Sequence, residues 1–173
     1  MNIADYIEHF SSLNTARMAG KNAPHKAVLL LAIMDLVEDG VIDSPRIELT
    51  EQLETSFELV WKRYVGVSLI FTPKVAMPYW HLVSEPFYSL HITSGQEIKG
   101  GTGRYSIKWL RNNIYAMIDE ELLALMQDDK SRNKLRETLI NTYLSQFKHK
   151  EVKGAALSSA IIAFLGIFLQ TAA

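Results

Sequence analysis

His25 and Lys26 stand side by side just after Pro24, at the start of an apolar segment. An imidazole and an ammonium in the first turn of a helix suit an anion such as phosphate. Backbone N–H groups are free at that end, and the helix dipole is positive there. The run Ala27–Met34 is wholly apolar, which predicts a buried helix that holds the pair at one fixed spot on the surface. A second group, Pro78, Tyr79, Trp80 and His81, joins a conformationally fixed ring to aromatic edges and another imidazole. Arg17, Lys21, Lys99, Arg104, Lys108 and Arg111 are candidate cations, of the types that contact a nucleic-acid backbone or, for Arg, a guanine edge.

Residue patterns for catalysis are missing. The chain has no GxxxxGK, no GxSxG, and no GxGxxG set between a strand and a helix. Gly100, Gly101 and Gly103 read as a loop. His9, His25, His81, His91 and His149 show no zinc-like spacing, and there is no cysteine. Neither a metal nor a cofactor is expected, and the chain reads as a binding module rather than an enzyme. Plain structural roles stand beside the functional ones. His25 can satisfy a backbone group, Pro78 can end an edge strand, and Lys108 and Arg111 can form a solvated helix face.

The elements that must position these groups follow from periodicity and caps. Asp5–Leu13 reads as a short amphipathic helix and Asn14–Asn22 as a polar, basic loop. Pro24–Asp39 is the buried helix, stopped at Gly40. Pro45–Leu49 is a short extended piece, and Thr50 caps a helix with Leu53, Phe57, Val60, Trp61 and Tyr64 on its apolar stripe. Val75–Ile92 is rich in strand formers on both sides of Ser84-Glu85-Pro86 and predicts a β-hairpin. Thr93–Arg104 is a glycine-rich loop. Three helices follow: Ser106–Tyr115, Asp119–Met126, and a longer one ending near Phe147. The fold class is α+β, a mostly helical single domain with a small central β-hairpin.

With 173 residues, 48% hydrophobic and 21% charged, the chain suits one globular domain. Its net charge of −1 hides a segregated layout. His9–Met34 holds Arg17, Lys21 and Lys26 without an acid, Asp35–Glu58 is strongly acidic, and Leu59–Ile118 is basic. Separated signs let a near-neutral protein present one basic face, although chance clustering on solvated faces gives the same counts. The opening MNIADYIEHF is unlike a signal peptide, so the expected location is the cytoplasm. Residues 154–173 carry no charge and are long enough to span a bilayer. Their serines, glycines and alanines favour a tail helix packed on the domain or on a second subunit over a membrane anchor.

The stretch PHKAVLLLAIMDLVEDGVI resembles the sulfur-binding domain of McrA-type, modification-dependent restriction endonucleases. The likeness continues in order through Arg46–Tyr64, Met77–Leu90 and Ile118–Leu144, spanning most of residues 3–150, with an apolar tail over 151–173. That family reads phosphorothioate DNA, in which sulfur replaces a non-bridging phosphate oxygen. The resemblance implies that His25, Lys26, Pro78, Tyr79 and His81 form the sulfur and phosphate site. Lys26 stands where the family more often has Arg, Met77 where it has Tyr, and His81 where it has a small residue. The implied partner is double-stranded DNA carrying phosphorothioate, with a nuclease partner for cleavage and a homodimer as further expectations. A reader of a methylated base, or a protein-interaction scaffold docking by its tail, are the alternative functions.

Overall fold

The computed structural model describes residues 1–93, the backbone of 97–98, and residues 106–147. Helix α1 (Ile3–Ser11) starts in a capping box: the Asn2 side chain accepts from the Ala4 and Asp5 amides, and Asp5 accepts from Asn2 N. A two-residue hairpin, β1 (Arg17–Met18) and β2 (Lys21–Asn22), stands where a loop was expected. Its turn holds Ala19 and Gly20 at φ 49° and 76°. Two positive φ values in succession match the twist of a tight hairpin.

Helix α2 (His25–Glu38) is the axis of the fold and is buried nearly all round. It packs against α3 (Glu51–Tyr64), α4 (Ala76–His81), α6 (Glu120–Gln127) and α7 (Asp129–Leu139). Gly40 ends it at φ 69°, with Gly40 N donating to the Val37 carbonyl and Val41 N to that of Leu36. That left-handed conformation is one a side chain rarely adopts.

Antiparallel β3 (Arg46–Glu48), β4 (Tyr88–Ile92), β5 (Glu97–Ile98) and β6 (Ile114–Ile118) form one sheet in the order β3-β6-β4-β5. Ala116 lies between Ile47 and Leu90 in register, and all three are fully buried. On the other face Arg46 lies 3.9 Å from the Tyr115 ring centroid, and His91 stacks on the same ring.

The molecule is thus α+β and mostly helical, its β part being the β1–β2 pair and this four-stranded antiparallel sheet. Two expectations are corrected. Ala76–His81 is helix α4, followed by a 3-10 turn (Leu82–Ser84), so Val75–Ile92 contributes only one strand. The helix expected over Ser106–Tyr115 is α5 (Ile107–Asn113), and Ile114 begins β6. In both places burial against neighbouring elements overrode local propensity. From α7 the chain continues through a π-helical turn (Ile140–Leu144) and a 3-10 turn (Ser145–Phe147). The tail, 154–173, lies outside the described residues. No helix among the described residues is long and apolar enough to cross a membrane.

Candidate functional site

The start of α2 forms one wall of a surface cavity of about 340 Å³. His25 and Lys26 line it, and Met77, Pro78 and His81 of α4 face them across the space. Asn14, Thr15, Ala16, Ala23 and Ser84 complete the lining. Two tyrosine hydroxyls help set the position of α4. Tyr79 OH donates to the Ile47 carbonyl at 2.8 Å, and Tyr88 OH donates to the Tyr79 carbonyl at 2.8 Å. The Ala23 amide donates to the Ala16 carbonyl at 2.8 Å, so the β1–β2 hairpin springs directly from the cavity rim. Gln146 holds the hairpin's second strand through both the amide and the carbonyl of Asn22.

His25 and Lys26 are only 8% and 7% exposed. The His25 ring packs on Trp61 at 4.9 Å between centroids and meets Phe71 edge-on at 5.9 Å. Its Nε2 lies 2.9 Å from the Thr72 carbonyl oxygen. A carbonyl only accepts, so Nε2 carries the hydrogen, and Nδ1 of the neutral ring is an acceptor. Nδ1 is buried without a hydrogen-bond partner. Burial pushes the imidazole below its usual pKa, the Thr72 contact opposes that, and nearby Lys74 adds to the depression. No side chain caps α2, so its positive end is left to the cavity.

Lys26 is not the free cation expected from its position. Its Nζ donates to Ser84 Oγ at 2.7 Å and to Glu85 Oε1 at 2.5 Å. Both side chains of the ion pair are almost wholly buried. The same carboxylate oxygen accepts from the Asn14 amide at 3.0 Å and from Ser84 Oγ at 3.1 Å. Glu85 is therefore a knot beneath three walls of the cavity: the Asn14 loop, α2 and the 3-10 turn.

Four of the five expected pocket residues, His25, Lys26, Pro78 and His81, meet at this cavity. Tyr79 does not: its ring is fully buried and its hydroxyl is committed to β3. The aromatic edge expected beside Pro78 is absent from the lining, and the thioether chain of Met77 takes a place there. His81 is part of the lining.

Among the other cations, Arg17 is exposed and Lys21 half-buried on the hairpin at the rim. Lys21 Nζ lies 5.1 Å from the Phe147 ring centroid. Lys108 is exposed on α5. Arg111 donates to the Leu49 carbonyl at 3.0 Å and to Glu54 of α3 at 2.9 Å, so its charge is already partnered. Lys99 and Arg104 lie outside the described residues.

The sequence alone does not single out Asn14, Thr15, Ala16, Ala23, Ser84 or Glu85. Only Ser84-Glu85-Pro86 carried a signal, and it reads equally as a turn. A wider groove of about 600 Å³ lies at the far end of α2, lined by Asp35, Glu38, Asp39 and Glu51 with Arg63 and Arg136. Arg136 is paired there with Asp35 and Glu38, and the acidic lining would repel a phosphate. No group of metal-ligating side chains occurs among the described residues.

A family model for the ScoMcrA-like DNA sulfur-binding domain matches residues 3–154. The sulfur binding domain of SprMcrA, solved in complex with phosphorothioated DNA, shares the fold at a TM-score of 0.61 and 18% identity, over 83% of this chain and 86% of that one. That of ScoMcrA, also in complex with phosphorothioated DNA, does so at 0.60 and 15%, over 85% and 92%. No curated protein matches the sequence.

Proposed function

The chain belongs to the ScoMcrA-like DNA sulfur-binding domain family, and from that premise we propose that it binds double-stranded DNA bearing a phosphorothioate link. The observation that carries the reading is the single cavity in which Pro78 and Met77 face the uncapped start of α2 and His25.

Exchanging P–O for P–S keeps the negative charge but makes one corner larger, softer and less hydrated. A wall of Ala16, Ala23, Met77 and Pro78 carbon suits that corner. Met77 adds a polarizable sulfur of its own, and Pro78 keeps its part of the wall preorganised. The free α2 amides face the remaining oxygen, and His25 joins them only when its Nδ1 is protonated. An ordinary phosphate in the same place would press a hydrated oxygen against carbon. That desolvation costs roughly 1–3 kcal/mol, which is about ten- to a hundred-fold in affinity. In this reading Arg17 and Lys21 at the rim, Lys108 on α5, and Lys99 and Arg104 meet neighbouring phosphates or base edges.

The module reads DNA, and cleavage falls to a nuclease acting with it. A cytoplasmic location and pairing with a second copy of the chain belong to the same proposal, and sedimentation with and without DNA tests the pairing. The decisive experiment for the function is a gel shift with matched duplexes that differ only in one sulfur atom. Preferential retardation of the sulfur duplex supports the reading, and equal retardation refutes it.

A further inference from the structure

Glu85 is not on the cavity surface, yet it decides what the cavity presents. We infer that Glu85 is a specificity-determining positioning residue: by neutralising Lys26 it withholds a cation from the ligand and so keeps ordinary phosphate out. The inference rests on the proposed reading of phosphorothioate DNA.

The Lys26 ammonium sits in the wall of the cavity with two of its three hydrogens directed to Ser84 Oγ and Glu85 Oε1. The pair is almost wholly buried, so water screens it little. What Lys26 offers a ligand is then a dipole rather than a full charge. An oxygen ligand is strongly hydrated and needs a compensating charge on entering such a site, whereas a sulfur ligand is weakly hydrated and loses less. A free Lys26 would restore the missing compensation for oxygen and erode the distinction. Glu85 thus gives up affinity for selectivity, by the logic that a specific site must disfavour the wrong ligand as well as hold the right one.

The geometry also supplies a clean perturbation. Glu85→Gln removes the charge while leaving an oxygen that can still accept from the Asn14 amide, the contact now made at 3.0 Å. At pH 8, where His25 is neutral, Glu85→Gln should bind the unmodified duplex about tenfold more tightly and the sulfur duplex about threefold more tightly, a fold-change typical of one charge-assisted phosphate contact. The preference for sulfur falls about threefold. The slope of log K against log salt steepens by about 0.9, the signature of one more neutralised phosphate. A merely structural role for Glu85 would move neither the ratio nor the slope in that direction.

The double variant Lys26→Met/Glu85→Gln has no lone buried charge. It should fold, keep the wild-type preference and keep the wild-type salt slope. An unchanged ratio in folded Glu85→Gln, or a preference lost in the double variant, overturns the inference. If the wild-type protein itself binds both duplexes equally, the underlying reading of the function has failed instead.

Discussion

Acidity should act on this protein in two opposite ways through one nitrogen, Nδ1 of His25. Nε2 is committed to the Thr72 carbonyl at 2.9 Å, and Nδ1 is buried and unpartnered, so the ring has one place to gain a proton. In the free protein burial holds the pKa below the value of the unfolded chain. The unfolded chain therefore takes up the proton first. The contribution of neutral His25 to stability is complete above about pH 6.5 and is lost as pH falls from there through the folded pKa. If a bound phosphate uncovers Nδ1 and accepts a hydrogen bond from it, the sign reverses. The complex then favours the protonated ring, and DNA affinity rises as pH falls through the same window. One proton sets the ceiling at tenfold per pH unit, about 1.4 kcal/mol.

Fluorescence anisotropy with a labelled sulfur duplex from pH 5.5 to 8, at constant salt, measures the affinity term, and urea titration of the free protein measures the stability term. His81 lines the same cavity, so His81→Asn serves as the control for a second imidazole there. His25→Gln keeps a donor for Thr72 and removes the titration. A wild-type affinity flat across the range, or a rise equal to that of His25→Gln, refutes the argument.

Three further outcomes are expected. Tyr79→Phe removes the donor to the Ile47 carbonyl and should cost about 1–3 kcal/mol of stability by urea unfolding, with a smaller sulfur preference because α4 is no longer tied to β3. Arg17→Ala at the rim should weaken both duplexes alike and lower the salt slope by about one, leaving their ratio unchanged. Ala19 lies at φ 49°, a region suited to Asn before Gly in a tight hairpin. Ala19→Asn should raise the melting temperature through relief of up to about 1–2 kcal/mol of backbone strain, and a lower melting temperature would count against that turn geometry.

Much of the framework was legible along the chain because it is local. The apolar run Ala27–Met34 with Gly40 behind it marks α2, and Thr50 before the Leu53–Tyr64 stripe marks α3. Val75–Ile92 misled because Tyr79, Trp80 and Val83 are strand formers taken singly. In the fold Tyr79 and Trp80 are buried on a helix, and Tyr79 binds β3 through its hydroxyl. Ile114–Ile118 alternates inward and half-exposed positions as a strand should, but five residues directly after a capped helix read as its continuation. The charge of Lys26 was legible and its neutralisation was not, since Glu85 lies 59 residues away.

What the linear chain determined by itself was the identity of the reactive groups and the element that carries the first two: a hydrogen-bonding ring and an ammonium at the head of a helix too apolar to face water. Whether those groups meet Pro78 and His81, which nitrogen of His25 keeps its proton, and whether Lys26 presents a charge or a dipole were decided only by tertiary packing. Each depends on contacts between residues dozens of positions apart, and on burial, which turns a solvated side chain into one whose state is set by its nearest partner.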